Sequence, residues 1–234
     1  MTRRRHLTEG LVIVVSILLA FGIEAAWAEY SETREAHRLL NSIREDVRAT
    51  QTEIAFSQSQ NEELADRARH LLSSLADPGS EEAVREALQS LGSIFITSGW
   101  DPVTHTYDEA VNSGRLRLIE NESLRLALTR YNAGVEEVHA IHGSAETQYY
   151  GQLEPFMVEH TVYSELAAEW WRGALVEAPF ETDYEALATS RELWNLVTLR
   201  LEIEVAMQSR LERMDALSTE VLGLLNEELG PGAS

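Results

Sequence analysis

The chain has 234 residues, with 39 acidic and 19 basic side chains for a formal charge of −20, and 44% of its residues are hydrophobic. Acidity on this scale excludes nucleic acid as a main partner, because phosphate recognition needs clustered cations. Every basic residue is Arg, since the sequence holds no Lys, and Cys is absent as well. Lysine nucleophiles, Schiff bases, thiol catalysis, thiolate metal sites and disulfides are therefore all excluded.

At the N-terminus Arg3, Arg4, Arg5 and His6 precede an uncharged apolar stretch from Leu11 to Ile23, the pattern of a targeting or anchoring segment. Its length suits a signal-peptide core as well as a membrane span, and Ala26-Trp27-Ala28 has the small-x-small form of a cleavage site. A span needs about 20 residues, so it covers 7–28, carries Glu9 and Glu24 near its ends, and puts Trp27 and Tyr30 at the outer interface. Both readings keep the basic tail, 1–6, in the cytoplasm and export 29–230, with 231–234 as a short tail. On the span reading the protein sits in a bacterial inner membrane, single-pass, with its C-terminal domain in the periplasm, whereas cleavage leaves that domain free there. At helical spacing Ser16, Ala20 and Glu24 share one face. They form a candidate contact between membrane helices, or else the carboxylates simply lie in the headgroup zones.

Stepping in alternating fours and threes from Ala36 gives Leu40, Ile43, Val47, Thr50, Ile54, Ser57, Asn61, Leu64, Ala68, Leu71 and Leu75, a heptad seam that ends at Asp77-Pro78-Gly79-Ser80. Thr50, Ser57 and Asn61 interrupt it with polar groups that either fix register or line a cavity. Ser80 is placed to cap a short helix, and Gly114 to close another that spans Thr104 to Ser113. Asn121 caps a helix whose seam runs Leu124, Leu128, Tyr131, Val135, Val138, His142, Ala145, Tyr149 and Gln152 and stops before Pro155. Shorter pieces follow, with Asp183 and Ser190 as caps. The last long helix then carries Leu193, Leu196, Ile203, Met207, Met214, Leu217, Val221 and Leu224 up to Gly230-Pro231. No alternating strand pattern occurs. The expected fold is all-α: an N-terminal transmembrane helix continuing into a long coiled-coil-like helix, packed with two further long helices and several short ones.

Chemistry is sparse. Glu136-x-x-His139 has the spacing of half a carboxylate-bridged metal site, but the sequence has no second such pair. Trp100, Asp101, His105, Tyr107 and Asp108 crowd one irregular segment, where Asp101 or Asp108 could orient His105 as a base or the aromatics could wedge the loop onto the bundle. Trp170 and Trp171 are candidates for a partner or ligand surface. No catalytic set is complete, and no cofactor is implied.

The basic start, the run Glu9-Gly10-Leu11-Val12-Ile13-Val14-Val15-Ser16-Ile17-Leu18-Leu19-Ala20-Phe21-Gly22-Ile23-Glu24, Trp27 and the segment Tyr107 to Leu116 together resemble a bacterial family of small membrane-anchored helical proteins known only as a domain of unknown function. That resemblance implies a retained anchor and carries no catalytic residues. Ala28 and Glu29 stand where the family has a second aromatic after the tryptophan, which leaves cleavage open. The sequence thus predicts a non-enzymatic membrane-anchored periplasmic scaffold that self-associates or binds a membrane protein partner. The alternatives are a small-ligand-binding or sensor-like bundle and, behind it, a metal-dependent enzyme.

Overall fold

The computed structural model describes residues 2–77, 79–95, 99–166, 173–176 and 178–230, with side chains described from Val15 onward. The long helices are α1 (Thr2–Ala76), α5 (Glu122–Gln148) and α9 (Arg191–Leu229). Shorter ones connect them: α2 (Glu81–Gln89), α3 (Leu91–Ile94), α4 (His105–Asn112), a 3-10 turn (Arg115–Leu118), α6 (Glu154–His160), α7 (Tyr163–Leu166) and α8 (Tyr184–Ala188). No strand occurs among the described residues.

The ends of these helices follow from local chemistry. Ser80, Asn121, Asp183 and Ser190 each accept a hydrogen bond from the backbone N–H three residues on, satisfying a donor that the helix start leaves orphaned. Gly114 takes the left-handed conformation (φ 71°) after α4 that a Cβ would disfavour.

The seam of α1 is buried as its periodicity predicts. Leu40, Ile43, Val47, Thr50, Ile54, Ser57, Asn61, Leu64, Ala68 and Leu71 are all inaccessible, and only Ala36 and Leu75 at its two ends are half-buried. α9 packs along both α1 and α5 and runs antiparallel to each. A ladder of cross-links sets its register on α5: Asn121 donates to Glu228, Arg130 pairs with Glu220, Arg213 with Glu137, and Gln148 donates to the Leu196 carbonyl. The 99–119 segment lies against α1. Thr50 Oγ1 donates to the Val103 carbonyl (3.3 Å) and accepts from its N–H (3.0 Å), and Asp46 accepts from the Thr106 N–H.

α5 ends at Gln148, but the helical path does not stop before Pro155 as the sequence expectation has it. A π-turn at Tyr149–Leu153 carries the helix on, with the Glu154 N–H bonded to the Tyr149 carbonyl five residues back, and Pro155 falls in the first turn of α6 where it breaks no ladder. The extra residue shifts the seam. Gln152, expected inside, is exposed, and Leu153 is fully buried in its stead.

α1 is one helix from Thr2 to Ala76, about 110 Å long at 1.5 Å per residue. Its side chains from Val15 to Glu35 are all exposed, and burial begins only at Leu39. The sequence places a transmembrane helix over 7–28. Among the described residues no helix is long and apolar enough to cross a membrane, so that assignment gains no support here; side chains 1–14, which include the first part of the apolar stretch, lie outside the description.

Candidate functional site: a buried polar layer between two cores

The apolar interior divides in two. One cluster joins Leu39 to Ile54 of α1 with Leu124 to Val138 of α5, Met207 to Leu229 of α9, and Trp100, Ala110 and Ile119. The other joins Ala68 and Leu71 of α1 with α2, α3, Leu153, Phe156, Met157, Leu187 and Leu193 to Val197. Between them lie Ser57, Asn61, Gln148, Arg200 and Glu204, all buried and all polar or charged.

The layer is built from seam positions. From Leu193 the buried residues of α9 step 197, 200, 204, 207, 211, 214, 218, 221 and 225, an unbroken alternation of four and three. Arg200 and Glu204 therefore occupy core positions one turn apart. Arg200 Nη2 lies 2.6 Å from Glu204 Oε1, and Asn61 of α1 donates to the other carboxylate oxygen. Arg200 is 1% exposed and Glu204 4%, which makes this an ion pair out of water, not a surface contact. His142 of α5 stands near enough to bear on the carboxylate, and its Nδ1 is 3.9 Å from Glu146.

Desolvation dominates the electrostatics. It pushes Glu204 above the usual carboxylate value, against the opposing pull of Arg200, the Asn61 hydrogen bond and His142. It likewise lowers Arg200, which Glu204 holds up. Two acceptors of the layer, Asn61 Oδ1 and Gln148 Oε1, have no hydrogen-bond partner. A layer of this kind adds little net stability over apolar packing, because ion desolvation offsets the Coulomb gain, but it punishes any helix slip that would separate the pair.

The other residues singled out from sequence do not assemble into a second site. Glu136 and His139 are both exposed, and among the described residues no group of three or more His, Asp or Glu could hold a metal ion. Trp100 is buried, with its ring edge-on to His139, and Tyr107 is half-buried against the same core, so these two aromatics are packing residues. Asp101 and His105 stay apart at the surface edge of the loop, and Asp108 accepts from the Thr104 hydroxyl at 2.9 Å instead of orienting His105. Ser16, Ala20 and Glu24 are exposed on the projecting part of α1. Trp170 and Trp171 lie outside the described residues. Thr50 bonds the 103 backbone, and burial pushes the neighbouring Tyr131 phenol up to about 12.

Sequence reasoning found Ser57 and Asn61 but missed Arg200 and Glu204, because it followed apolar residues alone. The signal was there: the four-three alternation from Leu193 lands on both charges. The fold and this layer define an all-α antiparallel bundle with a long projecting N-terminal helix and an ionic layer at mid-height. No family model, no curated protein and no solved structure matches the chain.

Proposed function

We propose that the protein is a non-enzymatic, membrane-anchored scaffold. The N-terminal part of α1 spans the inner membrane with residues 1–6 inside, and the bundle stands in the periplasm to engage a membrane protein partner or a second copy. One observation carries this reading. Between Val15 and Glu35 no side chain of α1 is buried, yet Ile17, Leu18, Leu19, Phe21, Ile23 and Trp27 are each at least 49% exposed and face all sides of the helix. Apolar surface facing water costs about 25 cal/mol per Å², and among the described residues nothing buries it. Lipid covers every side of a helix at once, and Trp27 and Tyr30 then fall at the level of the headgroups.

The absence of a helix break between this stretch and the bundle supports a rigid stand-off, with α1 as both anchor and core helix. The polar layer supports a structural role, since Arg200, Glu204 and Asn61 bond one another across α9 and α1.

The test is to express the full chain in a Gram-negative host and determine its N-terminal residue in carbonate-washed membranes and in the soluble fraction. The expected result is an intact Met1 in the membrane fraction, and release when Leu18 and Leu19 are both replaced by Arg, each costing about 3 kcal/mol at mid-span. Soluble protein beginning at Glu29 would overturn the anchor and leave a freely diffusing bundle.

A further inference from the structure

The stretch from Trp100 to Ile119 is pinned at its two ends and loosely seated between them. At the first pin Trp100 is buried and Thr50 bonds both backbone groups of Val103. At the second, Ile119 is 1% exposed and its carbonyl accepts from Arg125 of α5. Over the intervening residues, 104–118, Ala110 is the one buried side chain. Tyr107 and Leu116 reach the core half-buried, and Val111 is 47% exposed.

α1 meets this stretch with a polar stripe. Glu32, Glu35, Leu39, Ser42, Asp46 and Thr50 recur every third or fourth residue, so one side of the helix carries them all, and only Leu39 among them is apolar. Asp46 accepts from the Thr106 N–H at 2.9 Å, and Arg117 lies 3.6 Å from Glu32 with both side chains more than half exposed. Those two contacts tie the stretch to α1 between the pins. Beside them opens a cavity of about 410 Å³, walled by Glu35, Arg38 and Ser42 of α1 and by Thr106, Glu109 and Arg115 opposite. Polar space thus stands where the long helices have apolar core.

The stretch nonetheless holds its own shape. Thr104 donates to Asp108 at 2.9 Å, Ser113 donates to the Glu109 carbonyl at 2.7 Å, and Arg115 pairs with Glu109 at 2.6 Å. α4 and the 3-10 turn pack on each other and on α1. A segment with few buried apolar groups opens at a much lower free energy than the whole fold, and internal bonding makes it move as one body.

We propose that residues 104–118 form a strap, pinned at Val103 and Ile119, that lifts off α1 while the three long helices stay packed. Lifting bares Leu39 and Ala110, so the bundle gains a switchable apolar face directly above the projecting part of α1. The device does not depend on the membrane anchor.

Hydrogen–deuterium exchange of the full chain in phosphatidylcholine nanodiscs, read by mass spectrometry at neutral pH, tests it. Residues 105–118 should exchange as a block, at least about 100-fold faster than 124–138 of α5 and 207–225 of α9. The natural chain has no Cys, so Ser42→Cys with Glu109→Cys supplies a single thiol pair that a short bis-maleimide joins across the cavity. Linking should slow the block at least about ten-fold and leave α5 and α9 unchanged, with the unlinked double variant as the folding control. Exchange of 105–118 in the natural chain at the rate of α5 and α9 would overturn the proposal. So would a block that exchanges just as fast once linked, which is residue-by-residue fraying. Slowing of α5 and α9 along with the block would also overturn it, since the segment would then belong to the global unit.

Discussion

Replacing Arg200 by Met removes one half of an ion pair while leaving Glu204 4% exposed and without its nearest cation. Removing one partner of a buried pair costs about 3–5 kcal/mol, since the remaining charge is buried and uncompensated. In a chain of this size each kcal/mol shifts the melting temperature by about 2–4 °C, so Arg200→Met should melt about 6–20 °C lower. The triple variant Asn61→Leu, Arg200→Met, Glu204→Leu removes the charges and an unpartnered acceptor together, and it should melt at or above the wild type. The loss in the single variant also depends on pH with a definite sign. Burial already raises Glu204 above its ordinary 4.5, so its contribution is fully present below that value and is lost as pH climbs through the raised folded value. The gap between Arg200→Met and the triple variant should thus be smallest near pH 4.5 and widen towards pH 8. Thermal melts of full-length protein followed by far-ultraviolet circular dichroism measure both quantities. A single variant melting within about 2 °C of wild type at pH 8 would refute the picture of a desolvated pair.

Three further outcomes follow from the packing. Thr50→Val removes both hydrogen bonds to Val103 and leaves its N–H unpaired; a loss of about 1–3 kcal/mol is expected, with faster amide exchange confined at first to 99–106. Gly143→Ala should stabilise by about 0.5–1 kcal/mol through helix propensity, whereas at Gly134 the same methyl would sit 2.9 Å from Leu217 Cδ1 and 3.0 Å from Met214 Sδ; chemical denaturation should show no comparable gain there. Deleting Gly151 should convert the π-turn to regular α-helix with Leu153 and Phe156 kept inward, while inserting Ala after Tyr150 should turn them by about 100° and lower the melting temperature markedly.

Much of this fold is legible in the sequence because long antiparallel helices are dictated by periodicity, and periodicity survives polar interruptions. Thr50, Ser57 and Asn61 stay on their seam although none is apolar, since the neighbours on either side fix the phase of α1. The four side-chain caps are readable because each needs only a local oxygen placed before a helix. Two things escape a residue-by-residue reading. Pro155 is a stop by every local rule, and the helix passes it only because a π-turn has already displaced the hydrogen bonding, a choice that the burial of Leu153 and Phe156 enforces from outside the segment. Arg200 and Glu204 are charged, so a hydrophobic count places them outside. Their burial is stabilised by each other and by Asn61, 143 positions away, a pairing visible only once α1 and α9 are side by side.

The uninterrupted run of α1 from Thr2 to Ala76 makes the chain a protractor as well as a ruler. Each residue of a helix advances the axis by about 1.5 Å and the azimuth by about 100°. Between Glu29 and Glu35 the helix touches no core, so one residue added there rotates everything beyond it by that angle without disturbing any buried contact. Two added residues point a given face of the bundle almost backwards, and seven restore its heading to within about 20° while lifting it about 10 Å. The compass bearing of the bundle relative to the projecting helix is therefore set by the residue count of a short exposed segment, and a ladder of insertions there would vary heading and height in known proportion.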